Sequence, residues 1–201
     1  MITIYLQLIA ASSFVVATVV LGIGIRRSPT PEAAQRLSRV SHAFFWGAMI
    51  APEYLGVAYP GLWSFDALLG VPSLPWPVPR WVLGGALLLV GLFFVSGSIK
   101  ALRKLGAGLM AFKLTQKVVS EDLYQRVRNP MSLGLYLQFT GVALLVGSTY
   151  LLAFTLLVYL PAHVFNLKYF EELELSARYG KPYDEYRTKV PFLVPRLSAR
   201  A

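Results

Sequence analysis

The chain has 201 residues, 56% of them apolar and only 14% charged, with a mean hydropathy of +0.56. A soluble domain carries about 25% charged residues, so too little charge is present to coat a globule, and a soluble enzyme is close to excluded. The absence of cysteine rules out disulfides, thiolate metal sites and a cysteine nucleophile; with only two histidines, no metal site is expected. The net charge of +9 could suggest nucleic acid, but the cations lie between apolar runs rather than on one soluble surface, so no nucleic-acid partner is expected.

In chain order, the first apolar run is Ile2 to Ile25, uncharged and stopped by Arg26-Arg27. It lacks the basic start and short apolar core of a cleaved signal peptide and reads as a retained span. Thr30, Pro31 and Glu32 form a helix start of cap, first-turn proline and dipole-matched acid, predicting a short helix that leads into a second span, Val40 to Tyr59. The segment Pro60 to Arg80 contains five prolines and cannot be one helix; it is expected on the outer membrane surface. A third span runs from Trp81 to Ile99. Met131 to Phe170 is long enough for two spans, with Gly147-Ser148 as the tight turn of a helical hairpin.

The expectation is therefore an all-α polytopic membrane protein of five transmembrane helices, the last two a hairpin, followed by a cytoplasmic helical tail. It forms one integral membrane domain over 1–201, with three helices in 1–99 and a cofactor-binding half in 100–201. The segments 26–39, 100–130 and 168–201 hold 18 of the 19 basic residues, which by the positive-inside rule places the N-terminus outside and the C-terminus in the cytoplasm. Tyr59, Trp63, Trp76, Trp81 and Tyr150 fall at the opposite boundary, as an aromatic belt does. Gly84 and Gly91, and likewise Gly134, Gly141 and Ser148, recur every seven residues, a spacing that lets helix backbones approach closely.

Ionisable groups inside or at the edge of the spans need a reason. Glu53 reads as a protein-facing anchor or interfacial group, with a substrate contact or proton relay as the alternative. His42 reads as interfacial. His163 either satisfies a carbonyl freed by Pro161 or lines a pocket. The densest polar clusters flank the predicted hairpin, at 123–134 and 168–195, so both return to one membrane face and Arg128 can meet Glu171-Glu172. Adjacent residues on a helix point about 100° apart, so one acid can face a pocket while the other pairs with a base.

Tyr124-x-x-Val-Arg-Asn-Pro-Met-x-Leu-Gly134, followed after about forty residues by Glu171-Glu172, Tyr179-Gly180, Tyr183, Tyr186 and Val190-Pro-Phe-Leu, resembles the isoprenylcysteine carboxyl methyltransferase and phospholipid methyltransferase superfamily. Leu105-Gly106 is similar to the Leu-Gly that closes the preceding span in that family, and the resemblance covers roughly residues 95–196. It implies an S-adenosylmethionine site roofed by cytoplasmic loops. Tyr124, Arg128, Asn129 and Pro130 would form one wall and Glu171 and Glu172 another, with Tyr183 and Tyr186 closing over the cofactor. The partners implied are a lipophilic small molecule or lipidated substrate and membrane lipids.

Arg128 and Glu172 are the candidate catalytic residues, with Glu172 or a tyrosine as base for an amine or hydroxyl acceptor. Gly106-Ala107-Gly108 has no strand before it and reads as a turn rather than a nucleotide-binding loop. The sequence departs from the family pattern at Asn129 (commonly His), Ser132 (Tyr), Asp122 (Gly) and Leu109-Met110 (aromatic), changes that bear on the acceptor more than on the cofactor. The rival readings are a membrane reductase or isomerase using NADPH, and a small transporter or scaffold.

Overall fold

The computed structural model describes residues 1–104, 115 and 117–196. The Leu105-Gly106 match, the Gly106-Ala107-Gly108 turn and Leu109-Met110 lie outside the described residues. All the regular structure described is helical.

The first rod is α1 (Ile2–Arg27). Thr30 caps the next, its Oγ1 accepting from the Ala33 N–H at 3.2 Å, with Pro31 in the first turn. The predicted short helix is not a separate piece. α2 (Pro31–Phe44), a π turn (Phe45–Ile50) and α3 (Ala51–Ala58) form one continuous rod into which it is fused. The third rod, α5 (Pro77–Lys104), extends beyond the predicted Trp81–Ile99 at both ends, and α6 (Pro130–Val146) returns beside it. The final rod is α7 (Thr149–Phe154), a π turn (Thr155–Tyr159), α8 (Leu160–Asn166), a second π turn (Leu167–Glu171) and α9 (Glu172–Tyr179). Gly180 breaks it, and α10 (Lys181–Lys189) follows.

Among the described residues, three helices are long and apolar enough to cross a membrane: Ile2–Arg27, Pro77–Lys104 and Thr149–Tyr179. The apolar α6, at 17 residues, falls short of the ~20 that a bilayer core asks for.

Two of the π turns end two residues before a proline, Pro52 and Pro161. A proline ring clashes with the carbonyl four residues back and supplies no N–H, so the turn widens there. The Ala51 and Leu160 amides accordingly reach back five residues, to the carbonyls of Trp46 and Thr155.

The predicted hairpin turn is present. Gly147, at φ +79°, ends α6, and Ser148 caps α7 by accepting from the Leu151 N–H. The seven-residue glycine spacing has a structural counterpart between α5 and α6. Gly84 lies against Gly141 and Gly91 against Gly134, so close that a Cβ on any of the four would come within 3 Å of a backbone atom opposite. Ser148, the last member of that series, serves the turn instead.

The proline-rich segment packs onto this turn. It contains the short α4 (Phe65–Leu69), whose buried Asp66 accepts from the Ser148 hydroxyl and from the Thr149 and Tyr150 amides at 2.8–2.9 Å. The Leu74 amide and the Thr149 hydroxyl add bonds to the carbonyls of Gly147 and Pro72. A carboxylate at a helix N-terminus satisfies donors that the helix itself leaves unpaired. Asp66→Ala is therefore expected to cost about 2 kcal/mol, read as a lower melting temperature of the detergent-solubilised protein. Around this end Tyr59, Trp63, Trp76 and Trp81 of the expected belt are exposed, whereas Tyr150 turns inward, stacked on Phe65 with its hydroxyl on Gln7.

Glu53 is an anchor at the same end. It accepts from Gln7 Nε2 at 3.2 Å, and Gln7 Oε1 accepts from the Tyr150 hydroxyl at 2.6 Å, joining three rods. At the other end, Ile25, Ala34 and Phe170 share a core, and the Arg26 guanidinium covers the Tyr169 ring at 4.1 Å.

Candidate active site

The opposite end of the bundle from Asp66 holds a cavity of about 220 Å³, walled by α2, α6, α8 to α10 and the segment preceding α6. Of the residues singled out from the sequence, Tyr124, Arg128, Asn129, Glu171, Tyr183 and Tyr186 line it. Pro130 does not: it is fully buried at the start of α6, where its fixed φ suits the first helical turn. Glu172 does not line it either. The two acids diverge as adjacent helical residues must, Glu171 into the cavity and Glu172 towards Arg128 Nη1 at 2.9 Å and Lys168 Nζ at 3.1 Å.

Residues 128 and 172 meet because the hairpin returns both blocks to one place, and the tail then locks them. The Arg128 amide donates to the Pro191 carbonyl, Asn129 Nδ2 to the Phe192 carbonyl, and the Arg196 amide to the Arg126 carbonyl, at 2.9–3.1 Å. Lys168 Nζ sits 3.8 Å above the Phe192 ring. Asn129 thus holds the Val-Pro-Phe tail with its amide nitrogen rather than capping α6.

Arg128 is nearly buried, and its Nε–H has no acceptor among the described residues. The Nη1 contact to Glu172 is ionic, without hydrogen-bond alignment. A buried guanidinium with a donor to spare is costly unless a ligand oxygen completes it.

Tyr124 sits in a short 3-10 turn (Asp122–Gln125), and the Tyr186 hydroxyl donates to its carbonyl at 2.8 Å. Burial, reinforced by Glu171, raises the Tyr124 phenol well above the usual range; burial and then Glu172 do the same for Tyr183, and burial and then Tyr124 for Tyr186. All three remain neutral near pH 7 and serve as donors and aromatic faces, not as bases. Asp122, where the resembled family has glycine, adopts φ +52°. Aspartate is among the few residues that tolerate this left-handed conformation, and its carboxylate meets Lys104 at 2.9 Å.

Several cavity residues had not been singled out from the sequence. The buried Glu174 pairs with the half-buried Arg178 at 3.2 Å, and Asn166 donates to Thr18 Oγ1 and Ser41 Oγ at 2.9 and 3.3 Å. The signal for them was the spacing His163, Asn166, Phe170, Glu174, Arg178, a mostly polar stripe at helical period on an otherwise apolar helix. His42, expected at the interface, also lines the cavity, with Nδ1 2.8 Å from the Ser38 carbonyl. His163 lines it from α8. Ser132, in place of the family's tyrosine, leaves room in the same wall.

Donors and acceptors of this kind suit a zwitterionic, cationic ligand. Glu171 and Glu174 can face positive charge, Arg128 can grip a carboxylate, and the tyrosines can stack on a planar ring or face a sulfonium.

The methanethiol S-methyltransferase 2 of Bradyrhizobium diazoefficiens is 32% identical over 142 residues, covering 63% of this chain and 53% of that protein. The methanethiol S-methyltransferase of Crocosphaera subtropica is 25% identical over 142 residues, 70% of this chain and 53% of that one. The chain thus spans about half the length of the curated relatives it matches. No solved structure matches it. The phospholipid methyltransferase family model matches residues 79–182, a stretch that holds α5, the α6 hairpin and the cavity wall from Tyr124 to Glu174, and the chain belongs to that family of membrane methyltransferases.

Proposed function

We propose that this chain is an S-adenosylmethionine-dependent methyltransferase acting on a small lipophilic or amphiphilic acceptor. The observation that carries this reading is the cavity itself, where a buried arginine with an unused donor faces two carboxylates and three neutral tyrosines. S-Adenosylmethionine, when bound, supplies a methyl group on a sulfonium. Arg128 would hold its carboxylate, Glu171 and Glu174 its two cationic centres, and Tyr124, Tyr183 and Tyr186 its aromatic base. Glu172 would act one step removed, fixing the guanidinium.

The protein's contribution to rate would be alignment of nucleophile and methyl carbon in a water-poor site, worth up to about 7–11 kcal/mol in well-oriented cases. Among acceptors, a small thiol is favoured by what the similar proteins are named for.

In this reading the chain crosses the membrane five times, with the N-terminus outside and the cavity at the cytoplasmic face. The segments 26–39, 100–130 and 168–201, which hold 18 of the 19 basic residues, are the ones this orientation puts in the cytoplasm, and the end opposite the cavity carries the exposed Trp63, Trp76 and Trp81.

The test is calorimetric titration of the detergent-purified protein with S-adenosylhomocysteine and, separately, NADPH. Micromolar binding of S-adenosylhomocysteine is expected. Its failure to bind to the folded protein, or tight NADPH binding instead, overturns the reading in favour of a non-methylating protein or a reductase.

A further inference from the structure

The cavity has two unlike ends. Its roof, at Arg128, Glu171, Glu174 and Tyr183, is polar and charged. Its inner end lies eight residues back along the last rod, about 12 Å at 1.5 Å per residue, and is made by Phe45, Trp46, Leu135 and His163. His163 is buried there in an aromatic cage. Its ring stacks on Phe45 at 4.4 Å and 26°, Tyr136 stands edge-on at 5.7 Å, and Phe14 and Tyr159 close the sides. Nδ1 lies 3.1 Å from the Tyr136 hydroxyl, and among the described residues nothing hydrogen-bonds Nε2.

A buried imidazole held by one nitrogen at the apolar end of a reaction cavity has the form of a general base. The other candidates are poorly placed for that work. Glu172 is taken up by two cations outside the cavity, Glu171 and Glu174 stand at the roof, and the cavity tyrosines there are neutral.

We propose that His163 is a catalytic residue, accepting the proton of a small thiol held at the inner end of the cavity, with Tyr136 positioning its ring. The proposal rests on the methyl-transfer reading above. In the step, Nε2 takes the S–H proton and the thiol sulfur forms a bond to the methyl carbon. The carbon–sulfonium bond breaks, and its electron pair stays on the sulfur of S-adenosylhomocysteine. A thioether, neutral S-adenosylhomocysteine and an imidazolium result, so the positive charge passes from sulfonium to His163. The proton leaves towards the roof past His42, which lines the same cavity. The titratable groups around the imidazole are Tyr136 from α6, Tyr159 from its own rod and His42 from α2.

A base is needed because a thiol of pKa about 8.5 is only about 3% ionised at pH 7. Two probes of similar size separate the step from mere packing: ethanethiol, protonated at pH 8, and 2,2,2-trifluoroethanethiol, largely thiolate there. With S-adenosylmethionine, wild-type protein methylates both. His163→Gln is expected to lose about 100-fold on ethanethiol, stay within about fivefold of wild type on the fluorinated thiol, and bind S-adenosylhomocysteine within threefold of wild type. Tyr136→Phe should lower kcat on ethanethiol about tenfold with KM little changed.

An equal loss on both thiols, or no loss on ethanethiol, overturns the role of His163. A wild-type protein that binds S-adenosylhomocysteine but methylates neither thiol overturns the acceptor class. Absence of S-adenosylhomocysteine binding marks failure of the underlying reading instead.

Discussion

Gly91→Leu is expected to abolish folding or to lower stability by about 3 kcal/mol or more, whereas Gly85→Leu on the same helix should be tolerated. A Cβ at Gly91 would lie 2.7 Å from the Gly134 carbonyl oxygen and 2.9 Å from the Gln138 amide nitrogen. Both are backbone atoms of α6 and cannot swing aside, so relief requires the two helices to part. Overpacking of a well-filled contact typically costs about 1–3 kcal/mol, and here the added side chain would also break the close approach at Gly84 and Gly141. At Gly85 nothing lies within 4 Å of the added carbon. Gly134→Leu should behave like Gly91→Leu. Melting of the detergent-solubilised variants, compared with Gly85→Leu, is the measurement. Equal melting temperatures for all three would mean that α5 and α6 do not meet through their glycines. Because α6 begins at Pro130, directly after Arg128 and Asn129, the same separation should move the cavity wall and weaken ligand binding in any variant that still folds.

Arg128→Ala should weaken S-adenosylhomocysteine binding by tenfold or more and also destabilise the ligand-free protein. The guanidinium is nearly buried against Glu172, and removing one partner of a buried ion pair generally costs about 3–5 kcal/mol because the other charge is left stranded. Lys168, 3.1 Å from the same Glu172 oxygen, keeps part of that compensation, which places the expected loss at the lower end of the range. Arg128→Lys separates the two effects. It retains the charge beside Glu172 but not the planar fork that can hold a carboxylate at two points. Near-normal stability with ligand affinity still reduced about tenfold is therefore expected, read by melting temperature and calorimetric titration in parallel. Wild-type affinity in both variants would place the ligand elsewhere in the bundle.

The apolar runs, the proline breaks and the Gly147-Ser148 turn were legible from local chemistry, because each is a statement about the residue itself: its transfer free energy, its missing N–H, or its access to positive φ. Divergence of Glu171 and Glu172 was also legible, since neighbouring side chains on a helix cannot share a direction. Asp66 was not. In sequence it is one acid among prolines; only the fold brings it under the N-terminus of α7, more than eighty residues later, where it satisfies three donors.

Glu171 and His163 mark a subtler limit. On an ideal helix of 3.6 residues per turn, His163 and Glu171 point about 80° apart, so periodicity does not place them on one wall. The π turn at Leu167–Glu171 takes up an extra residue and turns the following segment back by about 100°. That brings Glu171 round towards the face of His163.

By itself, then, the sequence determined the class of protein, its rods and turns, the end of the bundle that carries the charge, and the two motifs that meet there. Those follow from composition and short-range order, which the chain carries wherever it folds. Tertiary structure decided which glycine faces which, which acid is spent on Arg128, and which is left in the cavity. Such matters depend on distances between residues far apart in the chain and on the phase of a helix after a widened turn. No local pattern of residues encodes either.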